Sequence, residues 1–353
     1  MNATGQLQAL GQSLWLDNIT RTLLDDGTLA RYVTNFAITG LTSNPSIFDA
    51  AIGAGSAYDA AIRELKRAGQ AGEELFVDLA LQDLRRAADL FRPAFERTQR
   101  VDGWVSMEIS PLLCADTAGS IAAARRIAEL AQRDNLFVKI PGTPEGIVAI
   151  EEAIYLGIPV NVTLLFSVAQ YLAAAAAYLR GIERRLAAGR DPRVGSAASL
   201  FVSRWDVAAN PQLPAELRNR LGIAVAGQAY RAYRELLAAP RWQGLAAAGA
   251  QPQRLLWAST GTKDPTAPDT LYVNALAAPD TINTMPEVTL LAFADHGAVH
   301  GAMAVNGGDS TAVLQQVASA GVEVEALAAR LQREGAQTFI KSWQLLLQRI
   351  AAK

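Results

Sequence analysis

Eight short segments with strand character recur along this chain, nearly all separated by helical stretches, and this alternation restricts the fold more than any other feature. They fall at 13–19, 36–39, 103–109, 136–140, 158–164, 198–204, 254–259 and 280–285. Helical patterns occupy about 56–68, 72–98, 117–133, 144–156, 167–187 and 214–238, and Thr20 caps another that runs through Leu23, Leu24, Leu29 and Tyr32. Such a pattern predicts a parallel (β/α)8 barrel of the TIM type, with all 353 residues in one domain and additional helices from about 287 to 353. The last of these helices is expected to border the barrel mouth. A doubly wound open sheet is the alternative. No G-x-G-x-x-G or G-x-x-x-x-G-K-[ST] follows any strand, which removes the usual reasons to expect a nucleotide on such a sheet.

In a barrel, the carboxyl ends of the strands converge on one mouth, so polar residues near those ends become neighbours. The stretch from Asn135 to Ile150 shows this most clearly. Leu136, Val138 and Ile140 alternate with Phe137 and Lys139, and Thr143-Pro144 then open a helix with an N-cap and a proline in the first turn. Lys139 therefore sits near the end of a strand otherwise built for burial. It is either a partly buried cation paired with a carboxylate or a Schiff-base nucleophile made reactive by desolvation.

Composition limits the partners. The formal net charge of −2 gives no general attraction to nucleic acid or to an anionic membrane, so an anionic ligand must be held by a few local cations. The single Cys114 cannot form an intrachain disulfide, which suits a reducing compartment. The start, MNATGQLQALGQ, lacks a signal-peptide pattern, and the Ala-rich run at 173–177 is too short to span a bilayer. A cytoplasmic protein is expected, as a monomer or homodimer. His296 and His300 have metal-ligand spacing but no third ligand beside them and read as surface or packing residues; no metal and no cofactor is expected.

Asp17, Asn44, Glu108, Lys139, Asn161, Thr163, Ser199, Arg204 and Ser259 all lie on or just beyond successive strands. An amine, two carboxylates and small hydrogen-bonding side chains around one mouth are the parts of a carbonyl-addition enzyme. Two stretches make the chain resemble the transaldolases. Gly40-Leu-Thr-Ser-Asn-Pro-Ser-Ile-Phe48 is similar to that family's T-[ST]-N-P-S signature, with Leu41 larger than the residue often found there. Phe137-Val-Lys-Ile-Pro-Gly-Thr-Pro-Glu-Gly-Ile147 resembles the signature around its imine-forming lysine. Further matches at Leu16-Asp17, Glu108-Ile-Ser-Pro111, 158–167 and 199–204 extend the likeness over most of the first 263 residues.

The resemblance implies transfer of a dihydroxyacetone unit between sugar phosphates in the non-oxidative pentose phosphate pathway. Donor and acceptor would be sedoheptulose 7-phosphate and glyceraldehyde 3-phosphate, the products erythrose 4-phosphate and fructose 6-phosphate. Position by position, it makes Lys139 the Schiff-base lysine and Asp17 the acid–base at the C4 hydroxyl. Glu108 and Thr163 would position a catalytic water; Asn44, Asn161 and Ser199 would hold the donor hydroxyls. Arg204 matches a phosphate-binding arginine, helped by Ser259. Where many members carry a second arginine this chain has Gly261, and Lys263 is the nearest cation. Phe201, two residues beyond Ser199, shares its strand face, and the aldolase branch carries tyrosine there and glutamine at the Glu108 position. The alternatives are a fructose-6-phosphate aldolase that releases dihydroxyacetone and an inactive sugar-phosphate-binding barrel.

Overall fold

The computed structural model describes residues 2–353, and in it the eight strands close into one parallel barrel in chain order. They are β1 (Ser13–Leu16), β2 (Ile38–Leu41), β3 (Val105–Glu108), β4 (Leu136–Pro141), β5 (Val160–Leu165), β6 (Ser196–Phe201), β7 (Gln253–Ala258) and β8 (Ile282–Met285), with β8 pairing back onto β1. Every strand residue is buried, because the inner face packs in the barrel and the outer face lies under helices. Register then decides what meets inside. Glu108 is level with Lys139, Lys139 with Asn161, and Pro141 with Thr163.

Period-two alternation separates an aromatic floor from a polar mouth on the same inward face. Phe137 stacks on Trp104 with ring centroids 4.0 Å apart, and Trp15 tilts against it at 6.1 Å. Gly40 makes room for this: a Cβ there would lie 2.6 Å from the Trp104 carbonyl and 2.7 Å from the Trp15 indole. Below the rings, buried Asp102 accepts from Ser13 Oγ, from Trp15 Nε1 at 2.8 Å and from the Gly103 amide at 2.9 Å. Arg254 donates to Ser13 Oγ at 2.8 Å and to the Thr281 carbonyl at 2.7 Å. The lower barrel is thus closed by rings and a satisfied polar network.

Several boundaries differ from the sequence expectation. β1 ends at Leu16, so Asp17 stands just past it. The helix capped by Thr20 stops at Asp25, and a second begins at Thr28, because Gly27 turns the chain at φ 73°. β2 starts two residues late, since Phe36 finishes that second helix and Ala37 adopts φ 57°. β3 and β5 also begin two residues later than expected, at Val105 and Val160. β6 stops at Phe201, which places Arg204 in the helix Ser203–Ala209 rather than on the strand. The helical region at 214–238 resolves into a short 3₁₀ turn at Ala215–Leu217 and the helix Leu221–Ala238, and the helix Pro240–Ala247 adds to it. No helix among the described residues is long and apolar enough to cross a membrane.

Beyond β8 the chain forms helices Glu287–His296, Ser310–Ser319 and Val324–Ala352. The last one returns to the mouth, as expected. Gln332 Nε2 donates to the Gly142 and Leu164 carbonyls at 2.9 and 3.0 Å, just beyond β4 and near the end of β5. Arg349 Nε donates to Asp49 at 2.6 Å, which ties the far end to the helix Pro45–Gly53. Trp343 packs edge-on against Phe76 at 5.1 Å.

The floor network predicts that Asp102→Ala removes the acceptor from two buried side-chain donors while leaving the mouth intact. A loss of about 3 kcal/mol in unfolding free energy is expected from urea denaturation. A loss under about 1 kcal/mol would show that the network adds little to stability.

Candidate active site

The mouth encloses a cavity of about 180 Å³, lined by Asp17, Asn44, Lys139, Thr163, Ser199, Phe201, Arg204, Ser259 and Lys263 among others. All the site residues expected from the sequence line it except Glu108 and Asn161, which are level with Lys139 on the neighbouring strands but are not part of the cavity wall. Lys139 Nζ donates to the Ser43 carbonyl at 2.9 Å and reaches Glu108 Oε2 at 3.4 Å. Asn161 is fully buried; it accepts from Ser199 Oγ at 2.7 Å and donates to Ser106 Oγ at 3.2 Å. The Thr163 hydroxyl is buried without a partner among the described residues.

Local folding explains these positions. Asn44 is extended, as a residue before proline must be, and caps the helix Pro45–Gly53 by accepting from the Ile47 amide at 3.1 Å. The T-S-N-P-S stretch is therefore a helix start as well as a turn. Its Ser43 carbonyl faces Lys139, and its Thr42 hydroxyl donates to Asp17 Oδ1 at 2.7 Å and meets Thr284 Oγ1 at 2.7 Å. Two mouth residues hold left-handed backbone that non-glycine residues seldom adopt: Leu164 at φ 60° and Ser259 at φ 57°. Leu164 interrupts the β5–β6 register there and turns its carbonyl to Gln332. Ser259 Oγ meets Ser203 Oγ at 2.9 Å.

Burial raises the carboxyl pKa of Asp17, opposed by the Thr42 hydroxyl and by the charges of Lys139, Lys263 and Arg204. Burial likewise raises Glu108, against the attraction of Lys139. Both carboxyls are thereby moved toward the range in which a group can take and return a proton. Among the described residues, Arg204 has no ion pair or hydrogen-bond partner. Its guanidinium lies over the rings of Phe201 at 5.1 Å and Phe339 at 5.9 Å, and burial lowers its pKa. Lys263 is exposed at the rim. At Gly261 a Cβ would sit 3.2 Å from Pro286, so a larger residue there needs its neighbours to give way.

Sequence reasoning left Thr42, Thr284, Thr338, Phe339 and Ser342 without roles, yet all line the cavity. Thr42 lay inside a quoted signature and could have been found there. The others come from the least regular strand pattern and from a helix far along the chain, where only tertiary contact places them. Among the described residues, no group of three or more His, Cys, Asp or Glu is placed to hold a metal ion. His296 is exposed and bonds Asp269 at 2.9 Å and Asp295 at 3.2 Å.

Comparisons with known proteins agree with one another. The family model described as Transaldolase/Fructose-6-phosphate aldolase matches residues 14–350. A transaldolase of Thiobacillus denitrificans (strain ATCC 25259 / T1) is 45% identical, with 99% of this chain and 100% of that protein covered. One of Thermobifida fusca (strain YX) is also 45% identical, with 98% and 96% covered. One of Saccharopolyspora erythraea is 43% identical, with 99% and 98% covered.

The helix that carries Arg204 is anchored by a buried carboxylate, and this gives a pH prediction. Asp206 accepts from the Leu221 amide at 3.0 Å, from the Gly222 amide at 3.3 Å and from the Tyr272 hydroxyl at 2.8 Å. Burial raises its pKa from 3.8 to about 6 despite those donors. The folded state thus holds this proton more tightly than the unfolded one, so its stabilising contribution is full below pH 4 and is lost as pH rises through about 6. The shift corresponds to about 3 kcal/mol. Asp206→Asn should remove this slope, so that the wild-type and variant unfolding free energies diverge by about that amount between pH 4 and 7. Parallel curves in urea titrations would contradict it.

Proposed function

The chain belongs to the transaldolase/fructose-6-phosphate aldolase family, and we propose that its mouth carries out transaldolase transfer by way of an imine on Lys139. The observation that carries the reading is the Lys139 amine itself. It is buried, opens onto the cavity, and is held by one carbonyl at 2.9 Å and one distant carboxylate at 3.4 Å, with two proton-exchanging carboxyls beside it. A purely structural ion pair calls for closer contact than this.

In this reading the amine adds to the ketose carbonyl of sedoheptulose 7-phosphate, and the carbinolamine loses water to give a protonated imine. Glu108, with the unpartnered Thr163 hydroxyl, handles the proton and the water of that step. Asp17 takes the C4 hydroxyl proton, the C3–C4 bond breaks, and its electron pair passes into the imine as an enamine. Erythrose 4-phosphate departs. The enamine then attacks the carbonyl of glyceraldehyde 3-phosphate, Asp17 returns the proton, and water releases fructose 6-phosphate from Lys139. The Asn44 amide group and the Ser199–Asn161 pair hold the dihydroxyacetone hydroxyls. Arg204, with its N–H donors free of protein partners, binds the phosphate; Ser259 and Lys263 complete that end. A lysine serves there as a point charge rather than a fork.

Residues 1–353 act as one domain, since the C-terminal helix supplies part of the cavity wall. The protein works in the cytoplasm as a monomer or homodimer on sugar phosphates, without nucleic acid; the net charge of −2 supports the last point. Aldol cleavage without transfer is the competing reaction, and Phe201 argues against it. Its ring lines the cavity and packs 5.3 Å from Phe166, presenting an apolar face where a hydroxyl could orient water onto the enamine. Incubation with fructose 6-phosphate alone should therefore release little dihydroxyacetone, and turnover should appear on adding erythrose 4-phosphate. Phe201→Tyr should raise the acceptor-independent reaction. Rapid dihydroxyacetone release by the unmodified protein, indifferent to acceptor, would make it an aldolase instead.

A further inference from the structure

Arg204 is held in an unusual way. Phe201, Phe339 and the close approach of Gly335 surround a guanidinium that forms no direct ion pair among the described residues, with Asp17 and Glu108 acting on it only at longer range. Ring faces attract a cation without using its N–H groups, so its donors stay available for an anion. A carboxylate in their place would neutralise the charge and compete with the ligand. Phe201 ends β6, three residues before Arg204 in the chain, whereas Phe339 and Gly335 come from the C-terminal helix.

Gly335, Thr338, Phe339 and Ser342 follow the i, i+3, i+4, i+7 spacing of one helix face, and all but Gly335 line the cavity. Gly335 is the close-approach point. A Cβ there would meet Leu164 Cδ2 at 2.9 Å and Arg204 Nη1 at 3.3 Å. The face cannot easily retreat, because Gln332 is bonded to two strand-end carbonyls and Arg349 to Asp49.

We propose that this face of the C-terminal helix sets the preference for phosphorylated over unphosphorylated substrates, with Phe339 and Gly335 as positioning residues that hold Arg204 in place for the phosphate. The inference rests on the transfer reading of the site and adds to it a specificity element from outside the barrel strands. Phe339 faces the guanidinium from the C-terminal helix at 5.9 Å, with Lys139 Nζ 6.0 Å from the same ring, and Gly335 leaves the space into which the Arg204 Nη1 extends. Together they fix the orientation of a side chain that no hydrogen bond fixes.

The test compares kcat/KM for fructose 6-phosphate and for fructose as donors, with unphosphorylated glyceraldehyde as the acceptor in both arms. Phe339→Leu keeps apolar bulk and removes the ring face; Gly335→Ala intrudes on the guanidinium without adding polarity. Each should lower the ratio of the two values about tenfold, mainly through KM for fructose 6-phosphate. Phe339→Tyr should keep the wild-type ratio. If Phe339→Leu does not fold, Gly335→Ala carries the test, since alanine is the better helix former and its closest contact, at 2.9 Å, is the terminal methyl of the Leu164 side chain, which can shift. An unchanged ratio, or equal losses with both donors, would reduce Phe339 to a packing residue and overturn the proposal. A wild-type protein that transfers from neither donor would instead overturn the reading on which it rests.

Discussion

The arrangement of this mouth depends on burying an amine beside a carboxylate without letting the two form a tight pair. Lys139 and Glu108 are each 5% exposed, and their closest approach is 3.4 Å. A buried ion pair is a poor source of stability even at good geometry, and at this distance it is poorer still. Strand register imposes the arrangement: Glu108 and Lys139 are level on neighbouring parallel strands, so their side chains emerge side by side whatever their chemistry. The Ser43 carbonyl, presented by the helix start at Asn44-Pro45, takes the better bond to the amine and keeps the carboxylate free for proton exchange.

Such a mouth requires a scaffold that is stable elsewhere. The lower barrel provides it through the Trp15, Trp104 and Phe137 rings and the Asp102–Ser13–Arg254 network. The same strand can serve both ends because its inward positions two residues apart lie in different layers. Phe137 belongs to the floor and Lys139 to the site. Of the non-glycine residues in left-handed backbone, Leu164 and Ser259 stand at the mouth, where the Gln332 and Ser203 side chains support them.

The eight strands were legible from their alternation with helical patterns, least clearly β8 with its polar Asn283 and Thr284, whereas closure in chain order was not, since a doubly wound sheet fitted the same alternation. The strand ends were less clear. Whether Phe36 finishes a helix or starts a strand, or whether Arg204 extends β6 or belongs to the next helix, depends on a single residue's dihedral angles, and periodicity does not encode those. The residues around Lys139 were legible because signatures and strand ends coincided. Asn161 and Glu108 were placed at the right ends, although which strand-end side chains reach the cavity wall is set by their neighbours and so was not visible. Phe339 was invisible as a site residue for a related reason. In sequence it is one apolar position of an amphipathic helix, and only the Gln332 and Arg349 anchors turn that position toward Arg204.

Trapping the imine tests the central claim most directly. Sodium borohydride added during incubation with fructose 6-phosphate should inactivate the protein and leave a reduced three-carbon unit on Lys139, identified by peptide mass mapping. Lys139→Arg should fold and acquire no adduct, since a permanently protonated guanidinium is not a usable nucleophile. An adduct on any other lysine, or full activity after borohydride treatment with substrate present, would contradict the account.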